Sequence, residues 1–405
     1  MAFDLVHKFK STDTGAPTLS GTAGDMVTVL DALLVNGYNS KTGGTLSRSG
    51  STATWSLTAH GFTDKAIVSI SGWDQSEYNG LFEITRIDAN SFSFTVSGTP
   101  TTPATSAGSS QAVKVAPAGG GWTKYYSGTN KAAYKQPAAS NGFYLRVDHN
   151  TSAQNAIFRG YETMSDVDTG TGLFPTTTLI ALASGPYLFV SSAASGTTRA
   201  WKCFSDGRAF IFIVNHDGST GFPAMMFGDF RSFVSGDAYN TMLLASSVAT
   251  SLAMNTDGYG GMHSVCGIRT NSRLGSTAIA RAYTQTGGAI QTAMLTGPQS
   301  GNVSGSSMAS LGAIAASGAF GPVTYPAPAA GGLLFDQVLL TEDNVVTSGP
   351  RGVLRGIFAP CHTRPGSAGD TFSGTGAYAG RKFELVGFGA NGRAIIQTSD
   401  WSVDG

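Results

Sequence analysis

Asp166-Val167-Asp168-Thr169-Gly170 spaces its carboxylates as the opening of a calcium loop does. A hard cation gathers several oxygens, and the twelve-residue loop completes that set with Gly at its sixth place and Glu at its twelfth. Those places here hold Thr171 and Thr177. The spacing therefore supports a turn in which Asp caps backbone amides, with no calcium site. Six histidines, His7, His60, His149, His216, His263 and His362, stand apart with no two at ligand spacing, and no HExxH helix occurs. Cys203, Cys266 and Cys361 are widely separated and odd in number, which gives neither a disulfide framework nor a zinc site. They read as small residues of a chain folded in a reducing compartment. Neither a GxSxG elbow nor a GxxxxGK[ST] phosphate loop is present. A glycosidase needs two carboxyls at a set separation. No local pattern promotes such a pair: Asp206-Gly207 and Asp217-Gly218 are hairpin-turn signals flanking the apolar run 209–214. The expectation is a protein that is not an enzyme and carries neither metal nor cofactor.

Aromatic residues carry the other candidate chemistry. Trp55, Trp73, Tyr78 and Phe82 cluster in one stretch, with Trp73 and Tyr78 in one predicted loop. Exposed aromatics on a β-module stack on sugars or pack on protein, so Trp73 and Tyr78 are the candidate contacts to a glycan or a protein partner. The competing reading makes them part of a small core that needs every large side chain.

The elements that would position these residues are mostly strands. One helix is predicted over 23–36, where Met26, Val27, Val29, Leu30, Leu33 and Leu34 repeat at three to four residues. Asp25 suits its first turn, and Asn36-Gly37 its end. Within 46–116 five short strands are expected at 53–58, 66–71, 81–87, 91–96 and 111–115, the third and fourth as an antiparallel hairpin. A low-complexity tract, SGTPTTPATSAGSSQ, reads there as a flexible surface loop. This pattern suits a small barrel or sandwich, bounded by glycine-rich joints at 42–44 and 119–121. Strands are also expected at 2–9, 143–147, 156–160, 187–191, 209–214, 333–340, 353–358, 382–387 and 394–398. Helical turns are expected near 164–168 and 237–244. Residues 275–330 are Gly/Ala/Ser/Thr-rich with little period, and read as long excursions packed on neighbouring subunits. The fold class expected is α+β, mostly antiparallel β. A main body of 1–45 and 117–405 carries the N-terminal helix, and a small all-β module at 46–116 is inserted into it.

Composition narrows the function classes. Gly is 54 of 405 residues, nearly double the usual share, and charged residues are 12%, about half of it. Lys+Arg and Asp+Glu are 25 each, a net charge of zero. A protein held on nucleic acid by global charge is excluded, because counterion release needs a basic surface. With 41% hydrophobic and 10% aromatic residues, a disordered solvating chain is excluded too. The N-terminal MAFDLVHKFKSTDTG has no apolar core of a signal peptide, and no run approaches the roughly 18 apolar residues of a membrane span. No fixed-period repeat is seen.

Eight stretches taken in order carry a resemblance. They are STDTGAPTLSG (11–21), LDALLVNGY (30–38), GWTK (121–124), SGTNKAAY (127–134), YLRVD (144–148), RGYETMSDVDTGTGLFPT (159–176), FGDFRSFVSGDAY (227–239) and GDTFSGTGAYAGRKF (369–383). Together they resemble a family of poorly characterised virion structural proteins of tailed bacteriophages and prophages. Members of that family pass almost directly from the VNGY segment to the GWTK segment; here about 80 residues intervene. The intervening module, with AHGF at 59–62 and YNGLFEITRIDANSFSFTV at 78–96, is similar to small β-modules that recur as inserts in phage surface proteins. The resemblance brings no catalytic residues. It implies a multi-copy, homo-oligomeric virion component, made and assembled in the bacterial host cytoplasm among other virion proteins. A tail or baseplate position is expected, with the insert outward on flexible joints. Capsid decoration, a receptor- or glycan-binding module at the particle tip, and a cell-wall or polysaccharide hydrolase are the alternatives.

Overall fold

A computed structural model of the chain describes residues 5–107, 110–180, 186–218, 222–245, 277–295, 332–333, 335–342, 349–360, 366–388 and 392–401. Among these residues every ladder is antiparallel, and the class is mostly β with one substantial helix. That helix runs as an α-helix Asp25–Leu30 and continues as a π-helical segment Asp31–Asn36. Met26, Val27, Val29, Leu30, Leu33 and Leu34 are all buried, as their spacing requires. The helix lies on the inner face of a five-stranded sheet of Thr123–Gly128, Lys131–Lys135, Tyr144–Ser152, Asn155–Tyr161 and Tyr187–Phe189.

The architectural centre is a larger, thirteen-stranded sheet. Its strands Ala209–Asn215, Ala224–Asp229 and Thr241–Leu244 are buried on both faces. Phe210, Phe212, Val214, Met225, Phe227 and Leu243 enter one core, shared with the helix and the five-stranded sheet. Their neighbours Ile211, Ile213, Met226, Met242 and Leu244 enter a second. Alternation places successive side chains on opposite faces, so a strand covered twice must be apolar at nearly every position. This is why 209–214 reads as an unbroken apolar run. The far wall of the second core is the same sheet, curled over as Phe335–Glu342, Gly349–Pro360, Gly392–Gln397 and Lys382–Phe388. Each large apolar side chain so enclosed contributes about 1.5–3 kcal/mol.

Charged latches cross the second core. Glu384, buried on the curled wall, takes Lys8 and Lys202 from the opposite strands, the latter at 3.0 Å. Asp206 and Arg355 form a second latch. Gly228, at φ 135°, lies against the Ala209 backbone; a Cβ there would sit 2.4 Å from the Ala209 Cα, so only glycine fits.

Residues Tyr38–Val115 form a β-sandwich of two four-stranded sheets. One is ordered Tyr38–Thr42, Ala112–Val115, Ile67–Ser71, Gly80–Glu83; the other Thr45–Ser49, Thr52–Ser56, Ser91–Thr95, Thr85–Arg86. Several expectations change here. The strand predicted at 81–87 is two strands. It breaks at the fully buried Ile84, where the chain crosses from one sheet to the other, and only Thr85–Arg86 pairs with Ser91–Thr95. Thr42–Gly44 is a turn inside the sandwich and not a joint. The chain instead departs at Gly37, φ 69°, where a Cβ would meet the Val115 carbonyl at 2.2 Å and Pro117 at 3.3 Å. Departure and return are therefore adjacent. They are also tied down: Ala118 N–H donates to the Leu33 carbonyl at 2.6 Å, Lys114 to the Asn36 carbonyl at 2.6 Å and Tyr38 hydroxyl to Asp13 at 2.9 Å. These contacts replace the flexible joint expected from glycine content.

The low-complexity tract is likewise pinned. Ala104 N–H donates to the Leu46 carbonyl, Asp74 N–H to the Thr105 carbonyl, and Ser106 hydroxyl to the Gly72 carbonyl. Both expected helical turns are absent. Residues 241–244 form a buried strand because both faces of their sheet are covered, and 163–164 pair with 170–171 around a tight turn. Within 275–330, Thr277–Ile279 and Ile290–Leu295 are strands of the large sheet. Residues 275–276 and 296–330 of that stretch lie outside the described residues.

Candidate interaction surface

The two aromatic residues proposed as surface contacts are interior. Trp73 is 6% exposed and Tyr78 fully buried. The Trp73 ring meets Trp55 edge-on at 5.1 Å between the sandwich sheets, and the Tyr78 hydroxyl donates to the Thr101 carbonyl at 3.0 Å. A small sandwich has few large side chains with which to fill its core, and these two are taken for that purpose. They offer no stacking face to a ligand.

The Asp166–Gly170 turn is a polar latch. Asp166 Oδ1 accepts from the Asp168 N–H at 2.7 Å. The Asp168 carboxylate takes Arg146 and, at 3.1 Å, Lys131, while Arg146 also donates to Asp148 at 2.9 Å. The Arg146 hydrogen bond holds the Asp168 carboxyl below the usual range. The carboxylate oxygens that a cation would need are thus engaged by a backbone amide at Asp166 and by guanidinium and ammonium groups at Asp168. No group of three His, Cys, Asp or Glu side chains among the described residues is arranged to hold a metal.

The described histidines serve packing. His60 Nδ1 accepts from the Phe62 N–H at 3.0 Å. His149 Nδ1 accepts from Gly24 N–H at 3.1 Å and Met26 N–H at 3.3 Å, covering the helix N-terminus, with Nε2 at 3.1 Å from the Ala153 carbonyl. His216 is buried. His263 and His362, like Cys266 and Cys361, lie outside the described residues. Cys203 is enclosed in the large sheet, where burial pushes its thiol well above the ordinary value. Burial drives His7 down to about 4 and lowers His149 as well. Both are held neutral in the fold. A histidine whose folded pKa lies below its unfolded value of about 6.5 gives stability that is complete above that value. It is lost as pH falls from there toward the folded value. For His7 alone the loss approaches about 3 kcal/mol by pH 4. Urea midpoints should therefore fall steadily between pH 7 and pH 4, with His7→Gln flattening part of the slope; a flat profile would contradict it.

An exposed aromatic corner lies elsewhere, on the edge strand Thr123–Gly128 of the five-stranded sheet. Consecutive strand residues normally face opposite sides. A bulge between Lys124 and Tyr126 leaves Tyr125 without a partner on the Lys131–Lys135 strand. Such a bulge re-aims a side chain. Tyr125 thereby reaches Tyr126 at 5.0 Å and Tyr144 at 5.7 Å, both edge-to-face. The Lys135 ammonium lies 5.3 Å from the centres of both the Tyr125 and Tyr144 rings. Tyr125 remains 54% exposed. The adjacent pair Tyr125-Tyr126 is visible in the sequence, but alternation alone assigns the two to opposite faces.

No protein-family model matches the chain, and the search of curated proteins gives no match. Among the described residues no helix is long and apolar enough to cross a membrane.

Proposed function

We propose that this chain is a multi-copy structural component of a tailed bacteriophage virion, non-enzymatic, belonging to the tail or baseplate. One observation carries the reading. Six of the eight ordered stretches that resemble the phage family fall in one unit of helix and five-stranded sheet, and the other two lie in the large sheet beside it. Residues 11–21 and 30–38 supply the linker and helix, and 121–176 supply most of the sheet beneath it. The resemblance is interrupted where the chain departs at Gly37 and returns at Pro117. Interior charges spent on latching layers, as at Glu384 and Asp206, also suit a part whose work is to hold shape.

Quantitative mass spectrometry of purified virions, scaled to the major capsid protein, tests it. A small multiple of three or six copies is expected of a tail or baseplate part that closes into a cyclic assembly. Copies in the hundreds would overturn the tail assignment in favour of the capsid lattice, and absence from virions would overturn the structural reading.

A further inference from the structure

We infer that the corner formed by Tyr125 and Lys135, backed by the buried Tyr144, is a binding site for an anionic saccharide, a sugar polymer bearing carboxylate or phosphate. The geometry supplies both halves of such recognition. The apolar C–H face of a pyranose stacks on an aromatic ring, and Tyr125 offers one that is 54% exposed on an otherwise polar strand edge. The charge comes from Lys135. Its ammonium sits at 5.3 Å from two ring centres, and among the described residues no carboxylate lies within ion-pair distance of it. Ring quadrupoles hold a cation in place without neutralising it. Neighbouring lysines are committed: Lys124 to Asp31 at 2.8 Å and Lys131 to Asp168 at 3.1 Å. Lys135 is thus the charge left for an incoming anion. The surrounding Thr123, Ser127 and Gly128 are exposed and polar. That rim favours a hydrated sugar over a protein partner, whose interface core would be apolar and enclosed.

The inference stands independently of the virion proposal, because it concerns the isolated chain. Affinity electrophoresis of the purified full chain in gels containing polygalacturonate, a glycerol-phosphate polymer, polyglutamate or dextran tests it. Retardation is expected with one or both anionic sugar-based polymers, and which of the two retards more identifies carboxylate or phosphate as the anchor. Neutral dextran and the sugar-free polyglutamate should retard little. Tyr125→Ala and Lys135→Met should each weaken retardation about three- to tenfold, a change on the scale of one stacking or charge contact. Phe233→Ala, at an exposed aromatic elsewhere, should not. Unchanged thermal midpoints and circular dichroism would confirm that the variants fold. No retardation by either anionic sugar-based polymer would overturn the site. So would retardation that Tyr125→Ala leaves intact, or equal retardation by polyglutamate.

Discussion

Replacing Asp206 by Ala is expected to destabilise the protein by about 3–5 kcal/mol, the range for breaking one side of a buried ion pair. Asp206 is fully buried at the turn joining Ala200–Ser205 to Ala209–Asn215. One carboxylate oxygen accepts from the Arg208 and Ala209 N–H groups, each at 2.9 Å, and so fixes the turn. The other accepts from Arg355 Nε at 2.9 Å and Nη2 at 2.6 Å, across the second core. Alanine removes both, leaving a largely buried guanidinium and two turn amides without their acceptor. Asn keeps the amide acceptor and loses the charge, so Asp206→Asn should fall between alanine and wild type. Urea denaturation at neutral pH, with Arg355→Met completing a double-mutant cycle, separates turn from latch. An alanine variant within about 1 kcal/mol of wild type would mean that the latch does not bind the layers.

Removal of 38–116 is expected to leave a soluble, cooperatively unfolding protein, and removal of 46–116 an aggregating one. The two excisions differ in residues 38–45, which hold the strand Tyr38–Thr42. In the shorter excision that strand remains, but its partner Ala112–Val115 is gone. An orphaned edge exposes unpaired amides and carbonyls to other chains. In the longer excision Gly37 is joined directly to Pro117, which already lies beside it. All sandwich strands pair among themselves, so no ladder of the body is cut. Size-exclusion chromatography and urea unfolding of both variants test the point. Aggregation of both would make the sandwich part of the body's core, and good behaviour of both would move the boundary back toward 46.

Legibility in the sequence followed the number of covered faces. Ser91–Thr95 has one covered face, and its alternation of Phe92 and Phe94 with serines marked it plainly. Ala209–Asn215 has two, and an apolar run marked it equally well. Ala224–Asp229 also has two, yet Ala, two Met and Gly carry little strand preference, so it went unpredicted. Thr45–Ser49 buries only Leu46 and looks like a loop. The strand switch at Ile84 and the bulge at Tyr125 depend on pairing with distant segments, which no local window contains. For the same reason the sequence left Trp73 and Tyr78 open between surface contact and sandwich core, and the aromatic corner left no signal beyond two adjacent tyrosines. The helix was legible because six apolar residues at helical spacing have a single interpretation.

A wall held in common by two rooms cannot be removed from one of them. Because Ala209–Asn215 and its neighbours feed side chains into both cores, loosening either core withdraws support from the other. Partial opening that spares half of the molecule is therefore costly, and the amides of these central strands are expected to exchange with solvent only when the whole body opens. In the multi-copy assembly proposed above, this coupling would suppress half-open subunits whose bare strands recruit their neighbours in the wrong order.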